Sequence, residues 1–271
     1  MKKSYIIDNI QKYYLGGLVG EVIWTISNGK VNINFSTTTK DTVGELEFEL
    51  DLDNNEIGIY NTDSLLRLLS VTNEDVQLEF ELDLEDNEVG IYNTDSLLRL
   101  LSVTNEDVQL ELSKNNTGIV NKLKIKDNKF DLDYNLSDTN IIQAVPKVSE
   151  ANYDFVFQIN DEFTSNFTKA HNALEKTPQF TINTTTTPQN ENVVEILLGE
   201  RSTHANKVKF TELATFTEQS DILPFSALVF REILTANRGA EGTMSVSNKG
   251  LAKLEFKTET TSTKYFMVRL Q

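Results

Sequence analysis

Apolar and polar positions alternate along most of this chain, and a few stretches of helical period interrupt the alternation. Residues 22–27 and 30–35 alternate on either side of Asn28-Gly29, a dipeptide suited to a two-residue hairpin turn. Residues 45–53 read Glu-Leu-Glu-Phe-Glu-Leu-Asp-Leu-Asp, with one face apolar and the other acidic. Residues 120–125 and 129–134 flank Asp127-Asn128. The same texture returns at 193–198, 207–210, 243–247, 251–257 and 264–270, with Asn248-Lys249-Gly250 between two of these strands. Helical spacing predicts a helix over 4–15, with Ile6, Ile7, Ile10 and Tyr14 inward and Gly16-Gly17 as its stop. A second helix covers 63–71, with Leu65, Leu66, Leu68 and Leu69 inward behind the cap residues Asn61, Thr62 and Asp63. A third, 162–175, sets Phe163, Phe167, Ala170 and Leu174 on one stripe. The fourth, 224–237, carries Pro224 in its first turn and Gly239 beyond its end, with Phe225, Leu228, Val229, Ile233 and Ala236 inward.

A repeat must be subtracted before these elements are counted. Residues 46–77 recur as 78–109 with three changes, Asp53/Glu85, Asn54/Asp86 and Ile57/Val89. Two units inside a non-repeating chain are too few for a solenoid. They read as a recent copy of one strand and one helix, the copied helix falling at 95–103. Without it the chain has about 239 residues, enough for two domains. Pro146 and the polar run 147–152 mark a boundary, giving domains of 1–150 and 151–271 with similar element order. The expected fold class is α+β, with helices on one face of antiparallel sheets. The copy is expected to add a strand and helix to the first domain or to bulge from an edge. Near-identical copies also compete for one place and one register.

Composition changes the picture in three ways. With 39% hydrophobic residues, 15 Phe and 8 Tyr, the chain can build real cores. It has no Cys, which excludes disulfides and thiolate metal sites. The start, Met1-Lys2-Lys3-Ser4-Tyr5-Ile6-Ile7, is interrupted by Asp8, Asn9, Gln11 and Lys12 and does not read as a signal peptide. No apolar run approaches the roughly 20 residues of a membrane span, so the expectation is a soluble, cytoplasmic protein. The net charge is −16. An acidic total argues against a nucleic-acid binder unless the basic residues gather on one kind of element.

Catalytic motifs are not found. His171 sits in the third helix, where a surface or core role suits it, and His204 lies in a polar loop without a partner at motif spacing. There is no phosphate-cradling loop, nucleophile elbow or His-Glu-x-x-His. Asp51-Leu-Asp53-Asn-Asn55 fails as a calcium loop, because Glu56 and Thr62 stand where Gly and Glu are needed, and Glu88 and Thr94 repeat the failure. No catalytic residue, metal or cofactor is expected. What remains is that each helix carries Lys or Arg off its apolar stripe: Lys3 and Lys12, Arg67 and Arg99, Lys169 and Lys176, Arg231 and Arg238. Acidic residues concentrate in strands and turns. Ordinary solvated helix faces explain any one helix. Taken together, the helices read as one surface facing a polyanion, with an outside that repels it.

The segment Glu56-Ile-Gly-Ile-Tyr-Asn-Thr-Asp-Ser-Leu-Leu-Arg-Leu-Leu-Ser-Val-Thr-Asn-Glu-Asp75 resembles the strand, helix and acidic turn of DNA sliding clamps from tailed bacteriophages. So do Met244-Ser-Val-Ser-Asn-Lys-Gly-Leu-Ala-Lys-Leu-Glu-Phe256 and Tyr265-Phe-Met-Val268 after a Leu/Phe-rich helix. The resemblance implies two clamp domains per subunit and a homotrimeric ring with helices lining the hole. It implies a processivity factor in phage DNA replication, not an enzyme, within the cytoplasm of the infected bacterium. Double-stranded DNA, the replicative polymerase and an ATP-dependent clamp loader are the implied partners, and no membrane is involved. The eight basic residues named above become the DNA-facing set. The implied partner pocket includes Ile141, Ile142, Val145, Pro146, Met267, Val268 and Leu270. Two other readings stand beside this one. A structural or assembly protein of a phage particle would use acidic β-domains for protein contacts and would lack a basic concave surface. An enzyme acting on a cationic or carbohydrate ligand at the acidic strands would need a cleft of convergent carboxylates.

Overall fold

A computed structural model describes residues 3–49, 55–59, 62–63, 66, 77–78, 109–114, 120–126, 131–135, 142, 144–149, 151–174, 177–199 and 206–270. Its residues form two compact units, 1–38 with 45–145 and 39–44 with 146–271.

The first unit opens with α1 (Lys3–Tyr14), ended by Gly16 and Gly17 at positive φ. Four strands follow: β1 (Val22–Ser27), β2 (Lys30–Ser36), β3 (Thr42–Glu49) and β4 (Asn55–Ile59), in the sheet order β4-β1-β2-β3. Asn28 and Gly29 both take positive φ, as their hairpin turn requires. A second sheet holds β5 (Gln77–Leu78), β6 (Gln109–Lys114), β7 (Val120–Lys126) and β8 (Asp131–Asn135) in that order. The first copy of the repeat supplies β4, with Ile57 opposite Trp24 of β1. The strand β5 runs parallel to β6, pairing Gln77 with Gln109 and Leu78 with Leu110. That offset is the repeat length: Gln77 and Gln109 close the two copies, and Leu78 and Leu110 are the residues that follow them. Of the added copy, 78–109, the described residues are Leu78 in β5 and Gln109 in β6. The predicted helix 95–103 falls outside the described residues, and of the predicted helix 63–71 only Asp63 and Leu66 are described, both helical.

The packing of α1 corrects the predicted stripe. Asn9, Ile10, Lys12 and Tyr13 are buried, whereas Ile7 and Tyr14 are half-buried. Aromatic packing sets this rotation. Tyr13 meets Trp24 edge-on at 6.5 Å and Phe35 at 6.3 Å, and its hydroxyl accepts the indole N–H of Trp24 at 3.3 Å. Burial pushes the Tyr13 phenol well above its ordinary range.

The second unit contains one arrangement twice. Strand β9 (Phe155–Ile159), helix α2 (Asp161–Ala173) and strands β10 (Gln179–Thr186), β11 (Asn192–Gly199) and β12 (Lys207–Phe216) make the first set. Strand β13 (Leu223–Ser226), helix α3 (Ala227–Ala236) and strands β14 (Gly242–Val246), β15 (Leu251–Lys257) and β16 (Thr261–Val268) make the second. Each opening strand joins the other set's meander. The order is β13-β10-β11-β12-β9-β14-β15-β16, with β13 antiparallel to β10 and β9 antiparallel to β14. Three of these strands escape the alternation rule. β10 carries Thr on both faces, β9 is a short, mostly apolar run, and β13 contains Pro224.

The predicted helix 224–237 is corrected at its start. Pro224 and Phe225 lie in β13, where an edge position spares proline the need for an N–H. Ser226 then caps α3, its hydroxyl accepting the Val229 N–H at 3.3 Å. The buried face is Ala227, Val229, Phe230, Ile233 and Leu234, and Leu228 is exposed. Helix α2 is capped by Asn160, which accepts the Phe163 N–H at 2.8 Å. Its buried face, Phe163, Phe167 and Ala170, follows the predicted stripe.

At the end of α3, Asn237 closes a buried polar network. Its amide donates to the Ile233 carbonyl and the Tyr265 hydroxyl, both at 2.8 Å, and accepts from Thr263 at 3.1 Å. Asn237→Ala removes these three buried bonds, each worth about 0.5–1.5 kcal/mol. A fall of about 3 kcal/mol in unfolding free energy is expected in urea titration.

Candidate nucleic-acid interface

Helices α2 and α3 pack against each other and run antiparallel. The Gly239 N–H, past the end of α3, donates to Asp161 Oδ1 at the start of α2 (2.8 Å). At the other end, Arg231 Nη1 reaches Asn172 Oδ1 (3.5 Å) and pairs with Glu232. The same side chains that bury the phenylalanines leave a polar face outward. On α2 this face holds Glu162, Asn166, Lys169 and Asn172. On α3 and just beyond it, Leu228, Arg231, Thr235 and Arg238 follow one another at helical spacing, with Arg231 half-buried and the others exposed. Three of the eight predicted basic residues, Lys169, Arg231 and Arg238, therefore share one helix pair.

Of the other five, only Lys12 has a described side chain. The backbone of Lys3 starts α1, and Arg67, Arg99 and Lys176 lie outside the described residues. The stem of Lys12 is buried and its ammonium is paired with Asp8 one turn earlier. A phosphate contact there would require breaking that pair. The acidic residues are unevenly shared between the two halves. Of 41 acidic residues 26 precede Pro146, but only 12 of 25 basic residues do. The second unit is nearly neutral, and its strands carry Lys207, Lys209, Lys253, Lys257 and Lys264. Lys209 pairs with Glu195, and Lys253 pairs with Glu255 at 2.7 Å while lying 5.1 Å from the Tyr153 ring centroid.

Strand β12 has a further property. It pairs with β11 over Lys207–Leu213, but β9 covers its opposite side only from Ala214 to Phe216. Among the described residues, the far edge of Lys207–Leu213 has no neighbouring strand. On its exposed face stand Lys207, Lys209, Thr211 and Leu213, the last 69% exposed. On the other face Glu212 is half-buried, and burial first, then the Glu162 charge, raises its carboxyl above the ordinary value. Folding therefore favours the protonated form. Its penalty is present above the folded pKa and fades as the pH falls through that value toward the unfolded one. Glu212→Gln is expected to raise the thermal midpoint at neutral pH, with the gain disappearing in acid when melting is followed against pH.

The predicted partner-pocket residues are scattered in environment. Ile142 is buried, Val145 half-buried and Pro146 exposed. Ile141 lies outside the described residues. Met267 belongs to the core, whereas Val268 is 51% exposed and Leu270 half-buried. The Leu270 N–H donates to the Pro224 carbonyl at 2.9 Å, placing the chain's end beside β13, next to the exposed Ile222. Ile222 has no mark in sequence, because an apolar residue before a strand reads as core. His171 is buried in α2, and His204 lies outside the described residues. No group of three potential metal ligands occurs among the described residues, and no described helix is long and apolar enough to cross a membrane.

Swapped opening strands and two antiparallel helices packed on one sheet, as the second unit has them, are features of a DNA clamp. Solved structures of that class match over the full length of this chain. Proliferating cellular nuclear antigen from Entamoeba histolytica superposes with a TM-score of 0.65 at 13% identity, covering 100% of this chain and 97% of that one. The A. fulgidus protein of the same name, bound to the C-terminal region of FEN-1, gives 0.64 at 12% identity with the same coverage. No family model and no curated protein sequence matches the chain. The chain has the DNA clamp fold, α+β with helices on one face of antiparallel sheets, and the structures it is similar to are sliding clamps.

Proposed function

We propose that this protein is a sliding clamp that encircles duplex DNA and tethers a replicative polymerase in phage DNA replication. The observation that carries the reading is the α2–α3 face, where Lys169, Arg231 and Arg238 stand among amide and hydroxyl side chains, with Glu232 paired to Arg231 and Glu162 at the α2 start, in a protein of net charge −16. Such a face contacts phosphates without reading bases, as sliding requires. A few cations suffice because encirclement holds the ring on DNA. The first unit's acidity keeps the duplex from binding elsewhere.

The ring is a homotrimer in this reading, opened by an ATP-dependent loader. The uncovered edge of Lys207–Leu213 supports a head-to-tail contact in which a strand of the next copy extends the sheet. The chain's end near Ile222, with Val268 and Leu270, supports a docking place for the polymerase. The protein performs no chemistry of its own, and its setting is the infected bacterial cytoplasm.

A topological assay tests the reading. Protein at high concentration is incubated with linear duplex, both ends are blocked with bulky protein, and the complex is washed in high salt. Retention that is lost on cutting the DNA between the blocks is the expected result. A mass near three times 30.7 kDa is expected by light scattering. A monomer with no cut-sensitive retention would overturn it.

A further inference from the structure

The slot that the first copy of the repeat fills is built from described residues. Leu46 and Phe48 on β3 and Ile59 at the end of β4 are buried. The Phe48 ring lies edge-on to Trp24 at 5.9 Å and to Tyr5 at 6.3 Å. Buried Thr62 donates its N–H to the Gly20 carbonyl at 2.8 Å, and the Tyr14 hydroxyl donates to Asp63 Oδ1 at 2.7 Å. One repeat length further on, the second copy carries the same residue for each of these contacts: Leu78, Phe80, Ile91, Thr94 and Asp95. Among the described positions of the slot the copies differ at one, Ile57, the register partner of Trp24, where the second copy has Val89. The other two differences, Asp53/Glu85 and Asn54/Asp86, fall in the sequence between β3 and β4.

We propose that the two copies are alternative occupants of this slot, so that the first unit has two registers, one with 46–77 seated and one with 78–109 seated. The exchange concerns how the first unit is filled and stands whether or not the chain encircles DNA. In the described register, Gln77 and Leu78 run beside Gln109 and Leu110, one strand spacing away. The segment set aside therefore starts and ends at one place. In the other register Gln109 still leads into β6, and Leu78 follows Glu45 in β3 in place of Leu46. That joint falls where β3 passes from the second unit, which holds 39–44, to the first. Both registers set aside one repeat length with its ends together, so the loop-closure entropy is the same. The seated residues are identical at each buried position named, so neither burial nor hydrogen bonding there tells the copies apart. What distinguishes them in the described slot is one methylene, at 57 against 89. A methylene lost from a packed site favours the first copy about two- to tenfold. Both registers are populated, with the first copy in the majority.

Disulfide trapping counts the two registers, since the chain has no cysteine of its own. Thr25 is the register partner of Glu56, whose counterpart in the second copy is Glu88. The full chain carrying Thr25→Cys, Glu56→Cys and Glu88→Cys is unfolded in urea and refolded at low micromolar concentration in a glutathione redox buffer. Linked peptides are then counted by mass spectrometry after proteolysis. Position 25 is expected to link to position 56 about two to ten times as often as to position 88. Ile57→Val/Val89→Ile in the same background is expected to invert that ratio. Phe80→Asp is expected to abolish the 25–88 link and keep the 25–56 link, because a carboxylate cannot take the buried place of the Phe48 ring. That variant separates seating from chance encounter. A 25–88 link below about one in a hundred, a ratio unmoved by the Ile/Val exchange, or a 25–88 link that survives Phe80→Asp would each overturn the inference. So would the absence of both links, or links that join two chains and not one.

Discussion

Phe167→Ala is expected to destabilise the second unit by about 3–5 kcal/mol, the usual cost of emptying a phenylalanine site in a packed core. Phe167 is fully buried at the centre of an aromatic cluster. Its ring lies 4.8 Å from Phe230 and 5.6 Å from Phe180, both nearly perpendicular, and 5.7 Å from Phe210 and 6.1 Å from Phe163. Those four rings come from α3, β10, β12 and α2. One truncation therefore loosens both helices from the sheet, and no single neighbour can collapse into the space. Edge-to-face pairs add roughly 0.5–1.5 kcal/mol each beyond burial, which places the loss toward the upper end. The chain contains one tryptophan, Trp24, in the first unit. Urea unfolding followed by circular dichroism should show an early transition for the second unit. Trp24 fluorescence should keep its parent midpoint if the two units unfold separately. An unchanged circular dichroism midpoint would refute the central role of Phe167.

The second large effect concerns assembly. Lys207→Glu/Lys209→Glu is expected to convert a trimer into a monomer in light scattering at micromolar protein. Both lysines are exposed on the part of β12 whose far edge no described strand covers. A strand of a neighbouring copy added there would come from a strongly acidic chain, with net charge −16. Reversing two charges replaces attraction with repulsion, and like charges facing across an interface cost several kcal/mol. Each 1.4 kcal/mol is about a tenfold loss of affinity. The change should therefore be visible over an ordinary concentration series. High salt should partly restore the trimer if the effect is Coulombic. The intrachain Lys209–Glu195 pair is also lost, but an exposed pair is worth at most about 1 kcal/mol, so the fold should hold. A trimer that survives the double reversal would remove β12 as the assembly edge.

Deleting residues 78–109 probes the repeat at the same time. The offset of β5 from β6 equals one repeat, so the deletion joins Gln77 to Leu110 where Gln109 now leads into β6. The first copy already supplies β4 beside β1. The shortened chain is thus expected to remain a trimer, at three times its own smaller subunit mass, and to lose nine acidic residues. It should bind duplex at higher salt than the parent chain.

Much of this protein was legible one segment at a time. Asn28-Gly29 sets its hairpin because only residues tolerant of positive φ close so tight a turn. Alternation placed β1, β2, β11 and β15, where each strand has one face on the core. The Phe163–Phe167–Ala170 stripe and the exposure of Lys169 follow from helical spacing alone. The repeat, the cationic helices and the expected clamp class were also sequence information, since they depend on order and kind of residue.

Other features belong to partners distant in the chain. Lys12 lies off the predicted stripe, yet Tyr13 packing on Trp24 and Phe35 turns the helix so that its stem is buried. Pro224 reads as a helix start until β10 offers an edge on which a proline is harmless. Leu228 reads as core, but the face of α3 that meets the sheet is set by Phe230 against Phe167 and Phe180. The pairing of β9 with β14 and β13 with β10 unites segments that no local rule connects. So does the bridge from Arg231 on α3 to Asn172 on α2. Backbone propensity and periodicity act over a few residues and are written in the sequence. Which face a helix buries, and which strand edge remains open, depends on packing partners dozens of residues away, and only the tertiary structure decides them.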